Sequence, residues 1–275
     1  MNAPRLKTPS GAADCHMHIY DRRFPYLPEA ALKPPEAHTG MYRAVCRRLG
    51  IDRVVVVQPS SYGTDNRCTL TAISELGAGA RGVAVVDDRV DAIELKRLTQ
   101  GGMRGARFHM MRGGVLPWSM LEPVAARIAE HGWHVQLQMD GRELHEREAQ
   151  LKALPTNLVI DHVGKFLEPV TLDHPGFKAL ARLIETGRYW VKLSAAYEVS
   201  KAGPPLYGDV GALAKALVKL APERMLWASN WPHPSVPATA APDDAVLLDL
   251  LLDWAPDEAV RRKILVDNPA EVYGF

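Results

Sequence analysis

Eight short apolar runs, at residues 13–20, 53–59, 82–87, 105–111, 134–139, 158–164, 190–197 and 225–231, recur from one end of the chain to the other. Helical patterns lie between most of them. A strand repeatedly followed by a helix builds a parallel sheet, because only a crossover connection returns the chain to the same edge. Eight such units predict a (β/α)8 TIM barrel; an open doubly wound sheet is the alternative. The chain has 275 residues, which suits one barrel domain over 1–275.

Several helix boundaries are legible. Ser119-Met-Leu-Glu122 reads as a capping box, and Gly132 stops the helix that follows. Asp173 and Pro175 open another helix and Gly187 closes it. An apolar stripe of helical period spans 212–220. Residues 241–275 read as a helical closing element, with Pro242 and Pro256 at helix starts. Two loops are long, 22–39 after strand 1 and 200–209 after strand 7. Both fall on the C-terminal face, where barrels build their sites.

A formal net charge of +1, with no basic run, speaks against nucleic acid or a membrane surface as partner. No apolar stretch reaches membrane-spanning length, and no secretory signal opens the chain. Cys15, Cys46 and Cys68 are too few and too scattered for a disulfide framework. The expectation is a reduced, cytoplasmic protein. No sequence feature specifies an oligomeric state.

The strand periodicity of two selects candidate site residues. His16 and His18, two apart on strand 1, share a face and reach the barrel mouth. Two imidazoles there hold a metal or polarise a carbonyl. On strand 6, alternation groups Ile160, His162 and Gly164, so His162 is a candidate for the mouth. On strand 5, His134, Gln136 and Gln138 line the interior, with Gln138 at the top. Glutamine is a poor zinc ligand but a good partner for a hydroxyl or carboxylate. On strand 4, Arg107 and His109 share a face, and Arg112 follows in the loop. A guanidinium inside a barrel needs a carboxylate, either an internal one or a ligand's. Strand 7 ends Lys192-Leu-Ser194-Ala-Ala-Tyr197-Glu198; Glu198 reads as a partner for Lys192 or an arginine, and Tyr197 as a substrate contact. Asn230 projects into the mouth after strand 8, and His233 serves either the site or the turn. Cys15 is expected on the face opposite His16, which removes it as a nucleophile. No phosphate loop, dinucleotide fingerprint or nucleophile elbow is present.

Asp14-Cys-His16-Met-His18, the Asp161-His162 strand end, Trp231-Pro232-His233 and the tail Asn268-Pro-Ala-Glu-Val-Tyr-Gly-Phe275 resemble the amidohydrolase superfamily, in its amidohydrolase-2 branch, over essentially the whole chain. Within that branch, Arg81-Gly-Val-Ala-Val-Val86 and Arg104-Gly-Ala-Arg-Phe-His109 look like the group of 2-pyrone-4,6-dicarboxylate lactonases and D-galactarolactone isomerases.

The resemblance implies metal-ligand positions at His16, His18, Gln136 or Gln138, His162 and residue 230. Two of these five carry amides here, although His16, His18 and His162 would still suffice for Zn²⁺. The lactonase group implies a reaction without a divalent metal. It implies a lactone carbonyl polarised by His16, His18 and His162, with substrate carboxylates held by Arg107 and Arg112. Two departures stand out. The aspartate expected at position 230 to activate water is Asn230, and Glu198 stands where an arginine would hold a second carboxylate. Asn230 orients but accepts no proton, so a neutral imidazole is expected as the base.

The leading expectation is a metal-independent, cofactor-free lactone hydrolase opening a carboxylated lactone, such as a pyrone carboxylate or a sugar-acid lactone. The catalytic set is His16, His18, His162 and Asn230; the binding set is Arg107, Arg112, Gln138, His109, Tyr197 and Glu198. Three alternatives are a lactone isomerase acting on a sugar-diacid lactone, a zinc-dependent hydrolase or decarboxylase using His16, His18 and His162, and a non-catalytic binding protein.

Overall fold

The computed structural model describes residues 3–275. Its eight strands pair in parallel, each with the next in chain order. They are β1 (Ala13–Met17), β2 (Arg53–Val57), β3 (Ala80–Ala84), β4 (Met103–His109), β5 (His134–Gln138), β6 (Leu158–Ile160), β7 (Tyr189–Leu193) and β8 (Met225–Trp227). The sheet closes where His18 N–H donates to the Trp231 carbonyl at 2.8 Å and Asn230 N–H to the His16 carbonyl at 2.9 Å. The result is a (β/α)8 TIM barrel in a single domain.

The strands form where β-branched residues concentrate; β2 carries four consecutive valines, all buried. Both faces of a barrel strand are covered, so continuous apolar runs are what the geometry asks for. The helices following the strands are α1 (Thr39–Leu49), α2 (Arg67–Leu76), α3 (Ala92–Gln100), α4 (Leu121–Ala129), α5 (Leu144–Ala153), α6 (Pro175–Glu185), α7 (Gly208–Leu220) and α8 (Asp244–Trp254). Asp91 caps α3 by accepting from Glu94 N–H, and Asp243 caps α8 by accepting from Ala245 N–H.

Three local expectations are corrected. The Ser119–Glu122 pattern makes no capping box; 118–120 form a 3-10 turn that runs into α4 without a side-chain cap. His174, not Asp173, caps α6, while Pro175 takes its first position. Pro242 and Pro256 precede their helices, because Asp243 and Asp257 take the capping positions.

Inside the barrel, an apolar floor contains Ala13, Val55, Val83, Val159, Trp190 and Leu226, plugged by Tyr273 from the C-terminal helix. Polar side chains occupy the level above it, and all the loops that follow them in sequence open on the same end.

Candidate active site

Lys192 organises the polar layer. Its ammonium lies 2.6 Å from Gln136 Oε1, 3.2 Å from Asp161 Oδ1 and 3.3 Å from His16 Nδ1, and its side chain is wholly buried. Three donors meet three acceptors, so the cation is fully used. Gln136 Nε2 donates to the other Asp161 oxygen at 3.0 Å, which fixes the amide's orientation. Burial alone would raise the Asp161 pKa, but Lys192 and then His16 outweigh it and hold the carboxyl well below its usual range.

The His18 ring hydrogen follows from its partner. His18 Nδ1 stands 2.8 Å from the Val57 carbonyl, which only accepts, so Nδ1 carries the proton. Burial, then Arg107, push the His18 pKa well below the usual value, so the ring is neutral and Nε2 offers a lone pair. His16 Nε2 lies 3.1 Å from that atom. His16 Nδ1 faces the Lys192 ammonium and Asp161 Oδ1 at 3.3 Å each and Gln136 Nε2 at 3.4 Å. Burial likewise keeps His16 and His162 neutral. His162 packs 4.9 Å from His16, centroid to centroid, with Nδ1 2.8 Å from Ser194 Oγ.

His162 reaches the site by a route that parity did not foresee. Strand β6 stops at Ile160, which belongs to the outer core, and Val159 and Asp161 point inward. Regular alternation would send His162 outward. Instead His162, Val163 and Gly164 adopt φ of 54, 55 and 86, and this left-handed turn swings the imidazole back over the mouth. Strand β1 shows a second irregularity. Its register against β2 shifts between Asp14 and Met17, and Cys15 joins the inner cluster while His16 also points inward. Cys15 is thus not opposite His16. It is still no nucleophile, since burial pushes the thiol up and keeps it protonated.

Arg107 is 7% exposed. Its Nη1 donates to the Gln58 carbonyl and its Nη2 to Gln138 Oε1, both at 3.1 Å. Neither partner is a carboxylate, and Nε has no partner among the described residues. Together with His18, Tyr20, Ser60, His109 and Arg112 it lines a cavity of about 70 Å³. His109 Nδ1 lies 3.4 Å from Ser60 Oγ, and burial followed by Arg107 lowers its pKa to about 3. Arg112 is exposed at the rim. Ala31 and Leu32 of the loop after β1 cover the cavity, and Gly113 lets that loop approach, since a Cβ there would stand 3.0 Å from the Ala31 methyl.

Across the mouth, Glu198 pairs with Lys165 rather than with Lys192 or an arginine; the two side chains are 8% and 7% exposed. Glu198 also accepts from Asn230 Nδ2 at 3.3 Å and from the Ser235 hydroxyl. Asn230 Nδ2 donates to the Tyr197 hydroxyl at 2.8 Å. The residues picked out by sequence therefore gather in two groups. His16, His18, His162, Arg107, His109, Gln138 and Arg112 lie around the histidines and the cavity; Asn230, Tyr197 and Glu198 form the opposite wall.

Sequence reasoning missed the central role of Asp161 and the pairing of Lys192, Lys165 and Asp244. A signal existed for Asp161, which shares strand parity with Val159. None existed for Lys165, at the end of the turn after β6, or for Asp244, at the start of α8.

The donor set tests poorly as a metal centre. His16, Asp161 and His162 offer ligand atoms within 4.8 Å of one another. The Lys192 ammonium, however, is bonded to two of the three, and Arg107 adds a second buried cation beside His18. Asn230 turns its amide nitrogen toward Tyr197 and Glu198. A divalent cation would meet like charges where it needs anionic or neutral donors.

The family model for amidohydrolases matches residues 13–275. The chain belongs to the amidohydrolase family. This amidohydrolase is 39% identical over 274 residues to a D-galactarolactone isomerase from Agrobacterium fabrum, covering 98% of this chain and 94% of the relative. It is 35% identical over 282 residues to a 2-pyrone-4,6-dicarboxylate hydrolase from Comamonas testosteroni, covering 98% and 92%. An apo crystal structure from Agrobacterium tumefaciens superposes with a TM-score of 0.96 at 37% identity, over 100% of this chain and 98% of that one.

Proposed function

We propose that this amidohydrolase catalyses acyl transfer at the carbonyl of a carboxylated lactone, with water as the first nucleophile to consider: a lactone hydrolase. The observation that carries this reading is Arg107. A buried guanidinium without a carboxylate partner, and with Nε unsatisfied, calls for an anionic ligand. The cavity it lines also contains His18, so a bound carboxylate would bring a ring carbonyl toward the histidines. With the Ser194 hydroxyl donating to its Nδ1, His162 presents an Nε2 hydrogen that can stabilise the oxyanion, a good donor contributing on the order of 3 kcal/mol.

The opposite wall favours a hydroxylated substrate. Glu198 accepts hydrogen bonds there and repels a second carboxylate. A specific observation also supports a second reading, lactone isomerisation. Asn230, held by Tyr197 and Glu198, has no capacity to take a proton from water. A substrate hydroxyl already positioned by binding needs less activation. The named activities of the isomerase and hydrolase relatives support both readings.

We propose further that the reaction proceeds without metal, on the strength of Lys192 and Arg107 in the pocket. Among the described residues no helix is long and apolar enough to cross a membrane. The three unpaired cysteines suit a reducing, cytoplasmic setting.

The test is a panel of carboxylated lactones, from planar pyrones to sugar-acid lactones, followed by a pH indicator and by NMR. Acid release establishes hydrolysis; ring migration without acid establishes isomerisation. A chain inert toward the whole panel would sink the reading.

A further inference from the structure

Behind Asn230 a line of hydrogen bonds runs away from the mouth. The Tyr197 hydroxyl lies 3.0 Å from His233 Nδ1, and His233 Nε2 lies 3.0 Å from Asp244 Oδ1. His233 and Asp244 are 4% and 5% exposed. A carboxylate only accepts, so His233 carries its proton on Nε2 and accepts on Nδ1. The Tyr197 O–H then donates to Nδ1, and its oxygen accepts from Asn230. Every hydrogen in the line has one place.

Two members of the line are set by strained backbone. Asn230 and His233 have φ of 62 and 64, in the left-handed region that non-glycine residues seldom occupy, and Ala195, two residues before Tyr197, has φ of 50. Such strain persists only where the surroundings over-determine it, and it collects at working sites. Proton acceptors elsewhere in the site are few, and the competing one is His162, whose ring bonds the Ser194 hydroxyl through Nδ1. His18 Nε2 faces His16, His16 Nδ1 faces Lys192 and Gln136, and Asn230 accepts no proton.

We infer that Tyr197 is the catalytic acid–base of the lactone reaction, with His233 and Asp244 as positioning residues that take up and return its proton. The arrangement follows the general logic of an activated hydroxyl backed by an imidazole and a carboxylate. The inference rests on the lactone reading above. As the nucleophile's oxygen bonds to the lactone carbonyl carbon, its proton passes to the Tyr197 oxygen, and the Tyr197 proton passes to His233 Nδ1. The imidazolium is held by Asp244. When the tetrahedral adduct collapses, the bond from carbon to ring oxygen breaks. That oxygen takes a proton from Tyr197, and His233 returns its own. Isomerisation then releases no proton; hydrolysis yields a carboxylic acid that ionises in solvent. Burial and then Glu198 push the Tyr197 phenol up, so the neutral phenol is the resting form.

The charged groups around the line are few. Glu198 flanks Tyr197 and is itself paired with Lys165, and Ser235 bonds to Glu198. Arg48 faces Asp244 at 3.5 Å and Asp243 at 2.6 Å.

The experiment compares kcat, KM and pH profiles of the intact chain with those of Tyr197→Phe, His233→Gln, Asp244→Asn and the double variant Tyr197→Phe/His233→Gln. The relay predicts a loss of roughly 100-fold or more in kcat for each of the first two, with KM within about threefold. The double variant should be no slower than the slower single one, because the residues act as a unit. Asp244→Asn should lower kcat with KM within about threefold, since the imidazolium formed during the reaction then lacks its carboxylate, whereas a merely structural loss would move both. Multiplying losses in the double variant, or Tyr197→Phe within threefold of the parent, would overturn the relay alone. A parent chain inert on every lactone would overturn the functional reading and the relay together.

Discussion

Lys192 and Asp161 form an ion pair of 3.2 Å in which neither side chain touches solvent. The pair lies between the apolar floor of the barrel and the histidines above. It stiffens the layer on which His16 rests, and it places a fixed positive charge against His16 and Asp161, two of the three residues whose ligand atoms cluster.

Lys192→Met removes one partner and leaves a buried, uncompensated carboxylate. The expected cost is about 3–5 kcal/mol of unfolding free energy. Denaturant melts would read it directly. Replacing both residues, as Asp161→Leu/Lys192→Met, should recover part of the loss. A Lys192→Met chain as stable as its parent would contradict the pairing.

Stability should fall steeply on mild acidification. His16, His18 and His162 have pKa values well below the usual value, and His109 and His134 fall to about 3. Below the unfolded value of about 6.5, the unfolded chain binds protons that the folded chain refuses. Each such histidine then removes about 1.4 kcal/mol per pH unit as pH drops, until its folded pKa is reached. Chemical denaturation between pH 7.5 and 5 measures the slope, and a flat profile would be incompatible with buried neutral rings.

Arg107→Lys keeps the charge and loses the planar fork. A carboxylate inhibitor should bind about 10–100-fold more weakly, with a smaller change in kcat. Arg112→Ala, at the exposed rim, should cost no more than about fivefold. Calorimetric titration of both variants with one carboxylated ligand separates the roles; equal losses would argue against the cavity as the anion site.

Asn230→Asp sets a carboxylate against Glu198, where an amide now donates at 3.3 Å. One of the two carboxyls must hold a proton, so a folded-state pKa rises. A raised acid pKa costs stability as pH climbs from the unfolded value of about 4. The gap in Tm between variant and parent should widen from about pH 4 to pH 7. Once ionised, the new carboxylate can serve water as a base, so acid release should gain on ring migration. An unchanged product ratio would show that residue 230 does not decide the nucleophile.

Chelation should leave activity intact. After exhaustive dialysis against EDTA, with metal content checked by elemental analysis, lactone turnover is expected to persist, and added Zn²⁺ should not stimulate it. Lost activity restored by stoichiometric Zn²⁺ would reverse the reading of Lys192.

Much of the molecule was legible in the residues themselves. The apolar runs correspond to all eight strands because a barrel strand is buried on both faces, and that demand acts locally on composition. Period-two alternation placed Gln138 and Arg107 inside because β4 and β5 keep regular register up to those positions; His16 comes inward beside Cys15 through the irregularity of β1 between Asp14 and Met17. What alternation could not reach were the places where the strand ends early. His162 enters the site at the head of four consecutive left-handed residues, His162 to Lys165, and Asn230 and His233 are set the same way. Those conformations are imposed by the surrounding packing, not by local preference, so no pattern announces them. The same holds for charge pairing. Sequence could say that Lys192, Glu198 and Arg107 need partners, since buried charge is costly. Only the closed barrel decided that Lys192 meets Asp161, that Glu198 meets Lys165, and that Arg107 is left with none, because those neighbours come from strands and turns far apart in the chain.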